Sequence, residues 1–423
     1  MEFRNSIVFR NFIYLFANQF FNLIIPLLVF PFLLKTLGIA NFGLYSLAYA
    51  GVIFCFMFCD YGFNFSGSKY IAINKSDYEK RDDAFSTILS LKIIISLVVS
   101  FGWIVYITYN PKFAHAHLFA LLFIGMIIGN ALNMQWFYQG LERLGWFSTI
   151  NSTIKLASNV VILFVIKSAD DAYMIPMIYS VAFILSGVIT IVIAVRRFNI
   201  KINFSSLQKN YKRFLSEGLD NFITISTTSM VFNGTIIILS FFEKDIILIG
   251  VFSALDRILK ILVSIYVPYS TAIYPRNMSE FQVSRKKGTE SVIKYGAIAL
   301  FFCIICIVFF QLFSENILSF LDQKLALYAK WLRLFSAWLF FIIINNLIGY
   351  HYMNGLNKSA VFRNINIIYM VITLILMIFG CAFYSFRGCI IAVLSGEVLL
   401  TLMLVFQLKF NPSIAGTSVK DFT

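Results

Sequence analysis

The chain has 423 residues, 60% hydrophobic and only 13% charged, about half the charged share of a soluble domain. No soluble core buries that much apolar side chain, and six cysteines in so long a chain, all in apolar runs, exclude a secreted disulfide scaffold. Lys and Arg number 34 against 20 Asp and Glu, a net charge of +14 whose placement decides its meaning.

A membrane-spanning helix needs about 20 largely apolar residues. Two arginines precede the first such run, 12–34, which is long enough to span and has no small-residue cleavage site after it, so it reads as a retained helix rather than a signal peptide. It carries Asn18, Gln19 and Asn22, and two prolines, Pro26 and Pro31, that remove backbone donors and predict a bend. Further spans follow near 44–65, 86–109, 116–138, 146–167 and 174–195, then near 219–242, 246–274, 291–313, 331–353, 361–383 and 389–408. The expected fold is an all-α polytopic membrane protein of twelve transmembrane helices.

The connecting segments alternate in charge. Those on one side, from Arg4 and Arg10 through the run Arg196–Arg213 to Lys409 and Lys420, hold 21 basic residues. The other side holds seven: Lys35, Lys112, Lys167, Lys244, Lys324, Lys330 and Arg387. The positive-inside bias places both termini in the cytoplasm and accounts for most of the charge without nucleic acid.

The two halves align with each other. Gly43-Leu44-Tyr45-Ser46 matches Gly250-Val251-Phe252-Ser253 at an offset of 207, and Gly140-Leu141-Glu142-Arg143 matches Gly355-Leu356-Asn357-Lys358 at 215. Phe147 with Phe362 and Asn151 with Asn366 keep the second offset, and the eight-residue difference is expected in a loop at Ser314–Lys330. Six spans per half is an even number, so the copies are parallel. The predicted organisation is a six-helix lobe over 1–195, a basic linker over 196–216 and a second six-helix lobe over 217–423, the lobes enclosing a central cavity. Within the linker, Ser205–Phe214 is expected as a short helix on the anionic leaflet.

Charge within a bilayer costs about 2.5–3.5 kcal/mol on insertion scales and so needs a reason. Depth counted at about 1.5 Å per residue puts Asp256, Arg257, Lys260, Lys155 and Glu397 near the middle. Asp60, Lys92, Asp220 and Lys294 fall nearer the cytoplasmic ends, where snorkelling is the plain expectation, and Arg333 falls nearer the outer end. Asp256 and Lys260 are spaced to pair within their own helix, leaving Arg257 about 100° round it. Arg257, Lys260 and Lys155 are the candidate anion-binding residues, since arginine's forked, permanently charged donors suit a phosphate. Asp256, Glu397 and Asp60 are candidate ion-coupling carboxylates. Asn18, Gln19, Asn22, Asn221, Thr224 and Thr228 form rows that either line a path for sugar hydroxyls or hydrogen-bond between helices.

Cys55/Cys59 and Cys303/Cys306 lie in apolar helices without a His or Asp cluster and read as packing, as does the Gly125/Gly129 pair. His115 and His117 open span 4 and do not amount to a metal site. No metal or cofactor is expected. Neither GxxxxGK[ST] nor HExxH occurs, and no loop is long enough for a catalytic domain, which argues against an enzyme.

Several runs resemble the Wzx-type O-antigen flippases of the MOP exporters. They are Asn11–Tyr49 with its Asn18-Gln19 pair, Pro31, Leu37-Gly38 and Phe42-Gly43; Asp60-Tyr61-Gly62-Phe63 followed by Ser66; and Gln135-Trp136-Phe137-Tyr138-Gln139-Gly140-Leu141-Glu142. Asp245 to Gly250, Ser253-Ala254, Arg257 and Tyr274-Pro275-Arg276 resemble the same family; the C-terminal third does so less. The resemblance implies alternating-access transfer of an undecaprenyl-pyrophosphate-linked oligosaccharide from the cytoplasmic to the periplasmic leaflet of a bacterial inner membrane, in functional association with an O-antigen polymerase and a chain-length regulator. In that case Arg257, Lys260 and Lys155 would hold the pyrophosphate. A cation-coupled multidrug antiporter and a lipid II or teichoic-type flippase remain alternatives on the same fold.

Overall fold

The structure, a computed structural model, describes the backbone of residues 7–203 and 207–410, and the side chains of 28–203 and 211–409 apart from 220, 224, 225 and 228. It is all-helical, with no strand among the described residues. The helices are α1 (Ile7–Asp60), α2 (Phe63–Ile73), α3 (Tyr78–Tyr109), α4 (His117–Leu121), α5 (Ile124–Ala131), α6 (Gln135–Gly140), α7 (Leu144–Val165) and α8 (Met174–Phe198). The second half follows with α9 (Leu207–Phe242), α10 (Ile246–Val283), α11 (Arg285–Leu321), α12 (Ala329–Ser336), α13 (Trp338–Asn345), a π-helical segment Asn346–Met353, and α14 (Ser359–Phe410).

Two of these helices each hold two predicted spans. Within α1 the backbone leaves helical geometry at Gly38, at φ 73°, a conformation open to glycine because it has no Cβ. That break separates span 1 from span 2. Within α14 the break is Ser385, at φ 57°, where the Phe386 N–H donates to Ser385 Oγ at 2.6 Å. Spans 4 and 10 are subdivided instead, the first into α4, α5 and α6 and the second into α12, α13 and the π segment.

By packing, the chain forms two compact units, 1–237 and 238–423. Most of α9 belongs with the first because its start docks on the end of α1 and on α2: Phe222 stacks on Tyr61 with centroids 5.1 Å apart, and Phe214 meets Tyr70 edge-on at 5.2 Å. Residues 207–214 are therefore the opening turns of α9 and not a separate surface helix; Ser205 lies outside the described residues. The core of the first unit gathers Phe63, Phe85, Trp136, Phe137, Tyr138 and Phe147, so the aromatic run of α6 is its centre. Small residues set the helix approach: a Cβ on Gly129 would lie 2.5 Å from the backbone of Phe183, so α5 and α8 touch backbone to backbone. This is how helices associate where lipid leaves little hydrophobic driving force. The outward faces are apolar too, as on α11, where Phe301, Ile305, Val308, Leu312 and Phe320 are all exposed. That inverts the soluble pattern and suits a hydrocarbon surround.

The internal repeat reappears as local geometry. Asp77 caps α3 by accepting from the Lys80 N–H at 3.1 Å, and Ser284, 207 residues later, caps α11 by accepting from the Lys287 N–H at 3.2 Å. Asn110 and Asp322 each close a helix and accept from a backbone N–H two residues on, Lys112 at 3.0 Å and Lys324 at 2.8 Å. The eight-residue length difference is not a loop, as expected for Ser314–Lys330. Five of its residues lengthen α11 to 37 against 32 in α3, and three lengthen the following 3₁₀ helix, six residues at Gln323–Tyr328 against three at Pro111–Phe113.

Candidate functional site

In the first unit, Lys155 lies on α7, half-buried, with its ammonium 5.7 Å from the centre of the Phe183 ring on α8. It makes no ion pair among the described residues, so the aromatic face is its visible electrostatic partner. Asn151, Lys155 and Asn159 recur every four residues and so share one face of α7. Asn159 Oδ1 accepts from the Tyr179 hydroxyl at 3.0 Å, and Tyr49 of α1 packs on Tyr179 at 6.0 Å. The asparagines of this stripe were legible as a period-four pattern but were overlooked beside the lysine.

Asp60 and Lys92 form one ion pair at 3.0 Å. Lys92 is 1% exposed, so it does not snorkel as expected; its ammonium turns inward and also donates to the Asn133 carbonyl at 3.0 Å. That carbonyl is available because the chain leaves helical geometry between α5 and α6. Asn130 Nδ2 approaches the same Asp60 oxygen at 3.4 Å. The charge of Asp60 is thus already balanced. Asn221 is half-buried within α9, about four turns from its start, where its Nδ2 reaches the Glu217 carbonyl at 3.4 Å. The side chains of Asn18, Gln19, Asn22, Thr224 and Thr228 lie outside the described residues, as does that of Asp220.

In the second unit, Asp256 and Lys260 pair along α10 at 2.7 Å. Arg257, half-buried on the same turn, adds its charge beside them, so three consecutive-turn groups carry a net positive charge. Glu397 of α14 has a different setting. It is 7% exposed, and the donors that reach it are neutral: Asn345 Nδ2 at 2.7 Å and the Tyr369 hydroxyl at 3.0 Å. Thr401 joins the cluster by donating to Asn345 Oδ1 at 2.7 Å. No cation pairs with Glu397 among the described residues.

A second polar cluster in this unit escaped the sequence reading. His351, fully buried in the π segment, lies between Ser270 Oγ, 2.9 Å from Nε2, and Asn277 Nδ2, 3.0 Å from Nδ1. Ser291 of α11 donates to Asn277 Oδ1 at 2.7 Å. Ser270 and Tyr266 each donate to Asn346 Oδ1 at 2.8 Å. One histidine in an apolar run was the available signal, but its partners Ser270 and Asn277 come from another helix, more than 70 positions away.

Two apolar helical units with repeated local geometry, subdivided fourth helices and charges held inside the spans define an all-α, multi-pass membrane fold. Comparison with known proteins agrees. The "Lipid II flippase MurJ, inward closed conformation" superposes with a TM-score of 0.73 at 17% identity, over 99% of this chain and 89% of that one. An inward-facing multidrug resistance MATE family transporter of the MOP superfamily gives a TM-score of 0.68 at 13% identity, over 94% of this chain and 96% of that one. Likeness at such identities is one of fold.

The family described as "Polysaccharide biosynthesis protein" matches residues 8–282, and the chain belongs to it. Relatives include an Escherichia coli (strain K12) protein named "Putative O-antigen transporter", 28% identical over 404 residues, 94% of this chain and 96% of that protein. A Shigella dysenteriae protein of the same name is 23% identical over 406 residues, 95% of this chain and all of that protein.

Proposed function

We propose that the protein is a non-enzymatic flippase that carries undecaprenyl-pyrophosphate-linked polysaccharide repeat units from the cytoplasmic to the periplasmic leaflet of a bacterial inner membrane by alternating access. The observation that carries this reading is positive charge held inside the spans of both units, Lys155 against an aromatic ring and Arg257 beside the Asp256–Lys260 pair. A cationic drug would be repelled by such groups, whereas a pyrophosphate would be drawn in. Lys155, Arg257 and Lys260 are its proposed contacts. The family and the full-length relatives named for O-antigen transport support the substrate class over both multidrug export and a lipid II or teichoic-type cargo.

Direction follows from charge. With both termini cytoplasmic, an anionic head group leaving a negative-inside cell gains about 2.3 kcal/mol per charge per 100 mV. Glu397 is preferred for ion coupling over Asp60 and Asp256, whose charges meet Lys92 and Lys260. Functional association with an O-antigen polymerase and a chain-length regulator belongs to the same proposal, since the flipped unit is their substrate.

The experiment is complementation of a flippase-null strain. Arg257→Ala and Arg257→Glu should abolish surface polysaccharide at normal protein level, and Arg257→Lys should restore part of it. Full surface polysaccharide in the Arg257→Glu strain would remove the proposed role.

A further inference from the structure

Three backbone irregularities converge on His351. The ring sits in the eight-residue π segment Asn346–Met353, a geometry that leaves a helix with alternative registers. Opposite it, α10 carries Pro268 and Pro275, each removing one backbone hydrogen bond, and the two His351 partners on that helix, Ser270 and Asn277, each lie two residues after one of them. The π segment and α10 are therefore both weakened where the histidine joins them.

The hydrogen bonds have one consistent direction. The Ser291 hydroxyl donates to Asn277 Oδ1, which turns the Asn277 amide nitrogen toward His351 Nδ1. Nδ1 then carries the lone pair and Nε2 the proton, which is donated to Ser270 Oγ; Ser270 donates onward to Asn346. Every member of this chain is satisfied by the neutral imidazole alone. A second proton, on Nδ1, would face the hydrogens of the Asn277 amide. The Asn277 amide is held in this orientation by the Ser291 hydroxyl, so the second proton breaks the His351–Asn277 bond unless the amide also gives up its present bond with Ser291.

Among the described residues, the groups that contact the ring offer no counter-charge. From α10 it meets the Tyr274 ring at 5.7 Å, and from its own segment the Tyr350 ring at 5.4 Å, while Tyr266 reaches it only through Asn346. Cys303 of α11 lies near Tyr266, and α14 brings Phe362 against Gly349. The nearby cations are directed elsewhere: Arg276 and Lys294 at the Tyr295 ring, Arg285 at the Tyr352 hydroxyl.

We propose that His351 is a proton-binding site that operates a hinge in α10. Proton uptake breaks the Asn277 link and leaves a buried imidazolium without an anion, which opens the helix between its two prolines; proton release restores the closed packing. The inference rests on reading the protein as a transporter, for which such a hinge supplies a pH-driven conformational step.

The test uses the full chain in lipid nanodiscs with His115→Gln and His117→Gln, so that His351 is the sole histidine of the three. Nitrogen-15 NMR should show the neutral Nε2–H tautomer at alkaline pH, converting to the doubly protonated ring on acidification while the fold persists. Hydrogen exchange in 261–277 should match that of an added His351→Gln variant at alkaline pH. In acid it should run about tenfold faster in the histidine protein, the effect of one lost buried hydrogen bond. Comparing the two at each pH cancels the intrinsic pH dependence of exchange. Should His351→Gln not fold, Ser291→Ala frees the Asn277 amide to turn and should shift the NMR titration midpoint upward. A ring neutral down to the pH of unfolding overturns the proposal, as does titration without a change in exchange or an unmoved midpoint in Ser291→Ala. No lipid-linked substrate is present, so failure of the transport reading would show separately, as unaltered surface polysaccharide in the null-strain experiment.

Discussion

Glu142 and Asn357, 215 residues apart, hold the same left-handed backbone conformation, at φ 57° and 56°. Each ends a helix in the same way. The N–H of Glu142 donates to the Gln139 carbonyl and that of Arg143 to Tyr138, while the N–H of Asn357 donates to Asn354 and that of Lys358 to Met353. The double bond is the Schellman closure of a helix C-terminus, repeated once per half. Glycine is the usual residue at such a position, and a carboxylate side chain there is strained.

Glu142→Gly should therefore stabilise the protein, by about 1 kcal/mol. The Lys75 ion pair it would lose, at 2.8 Å with Glu142 81% exposed, contributes little. Asn357→Gly should gain less, because asparagine tolerates the conformation. Thermal unfolding followed by fluorescence checks both, and a fall in midpoint for Glu142→Gly would contradict the account.

The matched caps Asp77 and Ser284 should separate on acidification. The Lys80 ammonium hydrogen-bonded to Asp77, helped by the Lys80 backbone N–H, holds its carboxyl below the usual aspartate range. A lowered folded value means the contribution is present above the unfolded aspartate value and disappears as pH falls through the folded one. The first turn of α3 should loosen in acid while that of α11, capped by a hydroxyl, does not. Intrinsic-rate-corrected hydrogen exchange at residues 78–82 and 285–289 measures this, and Asp77→Ser should abolish the difference.

Removing Asp60 should cost more than removing Lys92. Asp60→Ala strands an ammonium that is 1% exposed, whereas Lys92→Ala leaves a carboxylate that is 31% exposed and can reach water. Breaking a buried pair from one side costs about 3–5 kcal/mol, while an uncharged replacement of both partners is far milder. Denaturation in detergent should rank Asp60→Ala least stable, with Asp60→Asn/Lys92→Met close to the parent protein.

Glu397→Gln tests whether this carboxyl carries charge through the cycle. The amide keeps the volume but offers one acceptor where Asn345 and Tyr369 both donate, so the fold should lose about 1–2 kcal/mol. Surface polysaccharide in the null strain should nonetheless vanish. Normal export by Glu397→Gln would show the cluster to be packing only.

Element type was legible because the bilayer imposes it: an apolar run of about 20 residues has helix as its one satisfied backbone state. The repeat was legible too, since Gly140 and Gly355 mark equal turns. Less visible was where the breaks fall. The boundary between spans 1 and 2 falls at Gly38, which no motif singled out as a break, and the π segment has no composition of its own. The length difference between halves looked like a loop and proved to be added helix and 3₁₀ turn.

By itself, the order of residues determined that this is an internally repeated, all-α multi-pass membrane protein with cations inside its apolar runs, because hydrophobicity and local period act over neighbouring residues. Tertiary structure alone decided which buried charges are balanced. Lys92 finds Asp60 from 32 positions away, Glu397 finds Asn345 and Tyr369, and His351 is bonded to α10 and through Asn277 to α11, since hydrogen bonds and ion pairs depend on distances that only packing sets.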